Sequence, residues 1–196
     1  MQKFVHLRLH TDLSLNKSII TVEQAAKKVD GFKAEFNVAT DSLPDDLKKD
    51  KEAFWLKIRE NNNFWDNLEP IEDGVRLWGL LRHLQPRILT AAPRFNIPEE
   101  EVFFHPWYLE VKEKKLVWAK KNLNISDDDF FCTISKLKHL YIEGDENIIN
   151  VLIDDRMDNI NHWEKNGGVG IFFKNFQDAS SQIMTLFPKL IIKPKF

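Results

Sequence analysis

Apolar runs that break off in polar residues punctuate the second half of the chain. Val151-Leu152-Ile153 stops at Asp154-Asp155-Arg156. Asn159, Trp163 and Gly167-Gly168 follow, and a second apolar run fills 169–173. This pattern predicts a buried strand, an acidic tip, a short helix, a glycine turn and another buried strand. Continuous apolar strands separated by helices predict a parallel α/β sheet covered on both faces. In such sheets ligands and chemistry sit at the carboxyl ends of the strands.

The rest of the chain fits the same plan. Residues 3–9 (KFVHLRL) alternate loosely and predict a strand. Residues 19–22 form a short β-branched run, and apolar residues at 54, 55 and 58 have helical spacing. Val75, Leu77, Trp78, Leu81 and Leu84 predict an amphipathic helix over 74–84, closed by Pro86. A short strand over 87–90 ends at Thr90-Ala91-Ala92-Pro93-Arg94. Residues 98–107 turn from acidic to aromatic without a clear period, as in an excursion over the active face or a partner surface. A helix is predicted over 108–123, strands over 130–134 and 139–142, a final amphipathic helix over 176–187 and an edge strand over 190–192.

Composition narrows the class. The chain has 196 residues, 43% hydrophobic and 30% charged, which suits one globular domain with a full core. A formal net charge of −2 gives no overall basic field to draw it to nucleic acid. The basic run over 112–121 contains Trp118, so direct nucleic-acid contact is one reading of it and a solvated helix face the other. Cys132 is the single cysteine, so no disulfide forms within the chain, in keeping with a reducing compartment. No apolar run approaches the roughly 18 residues of a membrane span, and residues 1–9 lack a secretory core. An intracellular protein is expected, cytoplasmic or organellar, with a mitochondrial location left open. The histidines at 10, 83, 105, 139 and 162 have no zinc-ligand spacing.

The candidate chemistry lies at the strand tips. Two adjacent carboxylates at about 4 Å and an effective dielectric near 20 repel by roughly 4 kcal/mol. A hard cation such as Mg²⁺ between Asp154 and Asp155 would relieve that. A loop with two solvated aspartates is the plainer alternative. Thr90 offers a hydroxyl and a backbone N–H to a phosphate oxygen, and Lys115 offers charge. Thr90 alternatively just ends a strand, and Lys115 is alternatively one more solvated lysine. Phe54, Trp55, Phe64 and Trp65 enclose a base or simply fill a core. Together the tips outline a phosphoryl-transfer site without its nucleophile.

In this order the residues resemble the haloacid-dehalogenase (HAD) superfamily, in its 5′-deoxynucleotidase-like branch. Ile88-Leu89-Thr90-Ala91 resembles motif II, and Lys115 with Trp118 resembles motif III. Val151 through Arg156, with Asn159, Trp163 and Gly167-Gly168, resembles motif IV and its sequel. Asn63-Phe64, Leu68-Glu69-Pro70 and Gly74 resemble the return from a small cap to the core. The resemblance implies a three-layer, Rossmann-like α/β core with a parallel sheet and a small helical cap. The cap is expected over 37–70 of a domain spanning 28–196, with 1–27 as an N-terminal extension. It further implies phosphate binding by Thr90, Ala91 and Lys115, and Mg²⁺ held by Asp30, Asp154 and Asp155.

The first motif of that family is Asp-x-Asp-Gly-Val, whose first aspartate is phosphorylated and whose second is the acid/base. Lys28-Val29-Asp30-Gly31-Phe32, continuing Ala34-Glu35-Phe36, is its preferred match. Asp30 remains as the acid/base, but Lys28 replaces the nucleophile. A second frame sets Leu7-Arg8-Leu9-His10 at the motif, again without a nucleophile. The resemblance therefore implies a degenerate protein without phosphatase activity. Such a protein would act as a binding or structural subunit of a larger protein or ribonucleoprotein assembly, with no metal. In it an internal lysine–aspartate cluster would take the cation's place. A Mg²⁺-dependent phosphatase acting on nucleotides or small phosphate esters through another carboxylate, such as Asp12, is the alternative.

Overall fold

A computed structural model describes the backbone of residues 4–9 and residues 64–65, 68–94 and 97–188 in full. Five strands form one parallel sheet: β1 (Phe4–Leu9), β2 (Arg87–Ala91), β3 (Phe130–Thr133), β4 (Ile148–Asp154) and β5 (Val169–Phe172). Their order is β3-β2-β1-β4-β5. Among the described residues the α-helices are α1 (Glu72–Leu81), α2 (Glu99–Val102), α3 (Pro106–Leu123), α4 (Met157–Lys165) and α5 (Phe176–Leu186).

Successive side chains of a strand point to opposite faces, and the two cores follow that alternation. Ile88, Phe130, Val151, Ile153 and Ile171 belong to the larger core, with Leu81 of α1, Val111 and Trp118 of α3, and Ile183 of α5. Leu89 and Leu152 belong to the smaller core, with Ile160 and Trp163 of α4 and the half-buried Phe131 and Phe172. Helices thus cover both faces, giving the three layers that the apolar runs predict.

Indole and phenol groups tie the layers together. Trp118 Nε1 donates to Leu68 O at 2.6 Å, and Trp78 Nε1 to Leu123 O at 3.0 Å. Tyr108 Oη donates to Cys132 O at 2.7 Å. Burial, and the Cys132 side it faces, raise the Tyr108 phenol well above its ordinary range. Trp163 is fully buried and donates to Asn150 O at 3.3 Å.

The Trp163 and Gly167-Gly168 signature has a steric origin. A Cβ on Gly168 would lie 2.1 Å from Trp163 Nε1, and Gly167 has φ +91° as the chain leaves α4. The indole therefore requires a glycine beside it, and the turn requires one before it.

Two expectations are corrected. Residues 139–142 are not a strand; they finish a 3₁₀ helix over Ser135–Tyr141, with Ile142 N donating to His139 O. The segment 1–27 is not an extension outside the core, because its residues 4–9 are the middle strand. Leu9 pairs with Ile88 on one side and Ile153 on the other. Residues 10–63, which contain Lys28, Asp30 and most of the expected cap, lie outside the described residues, as do 190–192.

Candidate functional site

The strand order reverses between β1 and β4: β2 and β3 build outward on one side of β1, then β4 crosses to the other. A crevice forms at the carboxyl ends of strands where such a reversal occurs. β4 delivers Asp154 to that edge as its last residue.

Asp154 is 1% exposed, and its carboxylate is fully engaged. Oδ1 accepts from Arg156 N at 2.8 Å, and Oδ2 from Asn159 Nδ2 at 2.8 Å. Lys138 Nζ stands 3.5 Å from Oδ2, both side chains buried. Asn159 Oδ1 in turn accepts from Ser135 Oγ at 2.8 Å. The 3₁₀ helix after β3 supplies Ser135 and Lys138, and the first turn of α4 supplies Asn159. An ammonium at salt-bridge range with two N–H donors is what a buried carboxylate requires.

Lys115 is 3% exposed and belongs to a second cluster. Its Nζ donates to Thr90 Oγ1 at 3.2 Å and to Ala91 O at 2.5 Å. The same ammonium lies 4.7 Å from the centre of the Trp65 ring, a cation–π distance. Val111, Lys115, Trp118 and Ala119 make one buried stripe at helical spacing, which is why this lysine points inward. Lys114 instead pairs with Glu110 at 2.7 Å, Lys120 pairs with Asp127, and Lys112 and Lys121 are exposed. Phe64 and Trp65 pack edge to face at 5.0 Å and are buried.

The two clusters leave the sheet on opposite faces. Thr90 alternates with Leu89 and shares the face of Ile88, while Asp154 shares the face of Leu152. The structure thus brings Thr90, Ala91 and Lys115 together and seats Asp154 with Lys138. Asp155 is half-buried beside Asp154. Lys28 and Asp30 fall outside the described residues. Lys136, three residues past Thr133, is exposed and pairs with Glu99. The sequence reading missed Lys138 and Ser135. Lys136-Leu137-Lys138 places a lysine on each side of an apolar residue, and only the 3₁₀ winding decides which one turns inward.

Magnesium takes about six oxygen ligands in a near-octahedral shell. Both oxygens of Asp154 are engaged by protein donors, and a lysine ammonium stands beside them. No group of three or more His, Cys, Asp or Glu that could hold a metal occurs among the described residues. These residues do not fit the ion by themselves; a site would need carboxylates from outside them, such as Asp12 or Asp30.

No helix among the described residues is long and apolar enough to cross a membrane. No family model and no curated protein matches this chain. Solved structures that resemble it include two HAD hydrolases. One is a HAD-superfamily hydrolase from Ehrlichia chaffeensis, with 18% identity over 95% of this chain and 98% of that one, at a TM-score of 0.44. The other is a HAD family hydrolase from Deinococcus radiodurans with bound phosphate and sodium, with 11% identity over 99% of this chain and 100% of that one, at a TM-score of 0.45.

Proposed function

We propose that this chain is a degenerate HAD-like protein of the 5′-deoxynucleotidase-like kind that lacks phosphatase activity. It serves as a binding or structural subunit, with a larger protein or ribonucleoprotein assembly as its partner. One observation carries this reading. The middle strand of the sheet ends at Leu9, and the next residue is His10. A phosphoryl-accepting carboxylate belongs at that tip, beside Asp154, and neither His10 in this frame nor Lys28 in the other is one. The engaged state of Asp154 supports the same reading, because Lys138 stands against its charge.

A Mg²⁺-dependent phosphatase is the second reading. It is favoured by the Thr90–Lys115 pair, which keeps a hydroxyl and an ammonium together at the carboxyl edge. It needs Asp12, two residues past His10, or another carboxylate as nucleophile. The melting temperature with and without Mg²⁺ separates the two readings, since an ion bound by the folded state alone must stabilise it. A degenerate site gives no shift at millimolar Mg²⁺. A clear upward shift, abolished by Asp155→Asn, favours the phosphatase.

A further inference from the structure

Two histidines from different elements meet on the α4 side of the sheet. The rings of His139 and His162 have centroids 5.8 Å apart and planes inclined at 66°. His139 belongs to the 3₁₀ helix and His162 to α4. Contacts already described hold those two elements together. Ser135 Oγ donates to Asn159 Oδ1, and Lys138 stands against Asp154. His139 lies four residues past Ser135 and His162 three past Asn159. The docking that joins Ser135 to Asn159 therefore carries one imidazole to the other about a turn further on. His139 is half-buried, and its Nδ1 is buried with no hydrogen-bond partner among the described residues. A buried ring nitrogen in that state calls for a partner. His162 is exposed, so the pair opens to solvent on one side.

We propose that His139 and His162 form a site for a divalent transition-metal ion of the Zn²⁺ class. Imidazole nitrogen suits Zn²⁺, Cu²⁺ and Ni²⁺, whereas Mg²⁺ takes oxygen ligands. With Zn–N near 2.0–2.1 Å, each ring centroid stands about 3.2 Å from the ion, and a tetrahedral angle sets the two centroids about 5.2 Å apart. The observed 5.8 Å closes to that value with a shift of roughly half an ångström. No group of three or more His, Cys, Asp or Glu that could hold a metal occurs among the described residues, so water completes the shell. The affinity is then lower than that of a closed four-ligand site. The pair is separate from Thr90, Lys115 and the nucleophile position, so it stands whether or not the chain hydrolyses phosphate esters. These histidines show no ligand spacing in the sequence because the docking of two elements, not the run of the chain, brings them together.

The test is calorimetric titration of the metal-stripped full chain with ZnCl₂ at neutral pH, with the melting temperature read in parallel. Wild type takes up one ion per chain through this pair, and Zn²⁺ raises its melting temperature. His162→Ala, an exposed change that leaves the core untouched, weakens this binding roughly tenfold or more and removes the shift. His139→Ala does the same. His83→Ala, at another exposed histidine, leaves both readouts unchanged. A roughly tenfold excess of Mg²⁺ does not displace the ion. The assignment is overturned if wild type binds no Zn²⁺ up to about 1 mM, or if His162→Ala binds as tightly as wild type. It is also overturned if Mg²⁺ competes, which places the ion among carboxylates instead.

Discussion

Lys138→Met leaves a buried carboxylate without its cation. At 3.5 Å and an effective dielectric near 20, the Lys138–Asp154 attraction is roughly 5 kcal/mol. Desolvation of both charges offsets part of it, and removing one partner of a buried pair costs about 3–5 kcal/mol. Asp154 keeps its bonds from Arg156 N and Asn159 Nδ2, which places the loss near the lower end. A loss of about 3 kcal/mol lowers the melting temperature of a chain this size by roughly 6–12 °C. Urea unfolding followed by tryptophan fluorescence measures it directly. Lys138→Met/Asp154→Asn removes the stranded charge and recovers more than half of the loss. The reasoning is refuted if Lys138→Met stays within about 0.5 kcal/mol of wild type, the ordinary scatter of surface changes. It is equally refuted if the double variant is no more stable than the single one.

Other outcomes follow from packing and protonation. Gly168→Ala drives a methyl into the buried Trp163 ring and costs about 1–3 kcal/mol, read from the urea midpoint; Trp163→Phe in that background restores part of it. Tyr108→Phe removes the bond to Cys132 O and costs about 1 kcal/mol near pH 7. Because folding raises the Tyr108 phenol, the stability it contributes is complete below the unfolded value of about 10 and falls as pH rises beyond it. The gap between wild type and Tyr108→Phe therefore narrows above about pH 10 in pH-resolved unfolding, and a gap that widens there contradicts the assignment.

Local patterns carried much of the fold. The apolar run that stops at Asp154 marks a strand tip because a strand buried on both faces has no other way to end. The buried stripe of α3 singles out Lys115 among its neighbours, since helical spacing sets it between Val111 and Trp118. Gly168 beside Trp163 could be read as a signature, although its steric reason needs the three-dimensional contact.

What failed was tertiary. Residues 4–9 alternate too loosely to announce a central strand, and only pairing with β2 and β4 places them there. Residues 139–142 have strand-like composition, yet Lys138 turns in to meet Asp154 while Leu140 is 66% exposed, and the backbone winds as 3₁₀. Lys138, which no spacing rule marks, stands beside Asp154, while Lys28, from which an internal lysine is expected, lies outside the described residues.

The most direct measurement is hydrolysis of an aryl phosphate and a nucleotide panel with Mg²⁺, for wild type beside His10→Asp and Lys28→Asp. A silent wild type is expected, with turnover gained in whichever variant restores the carboxylate at the tip of the middle strand. Turnover by the wild type, abolished by Asp155→Asn, would contradict it and identify a working phosphatase with a different nucleophile.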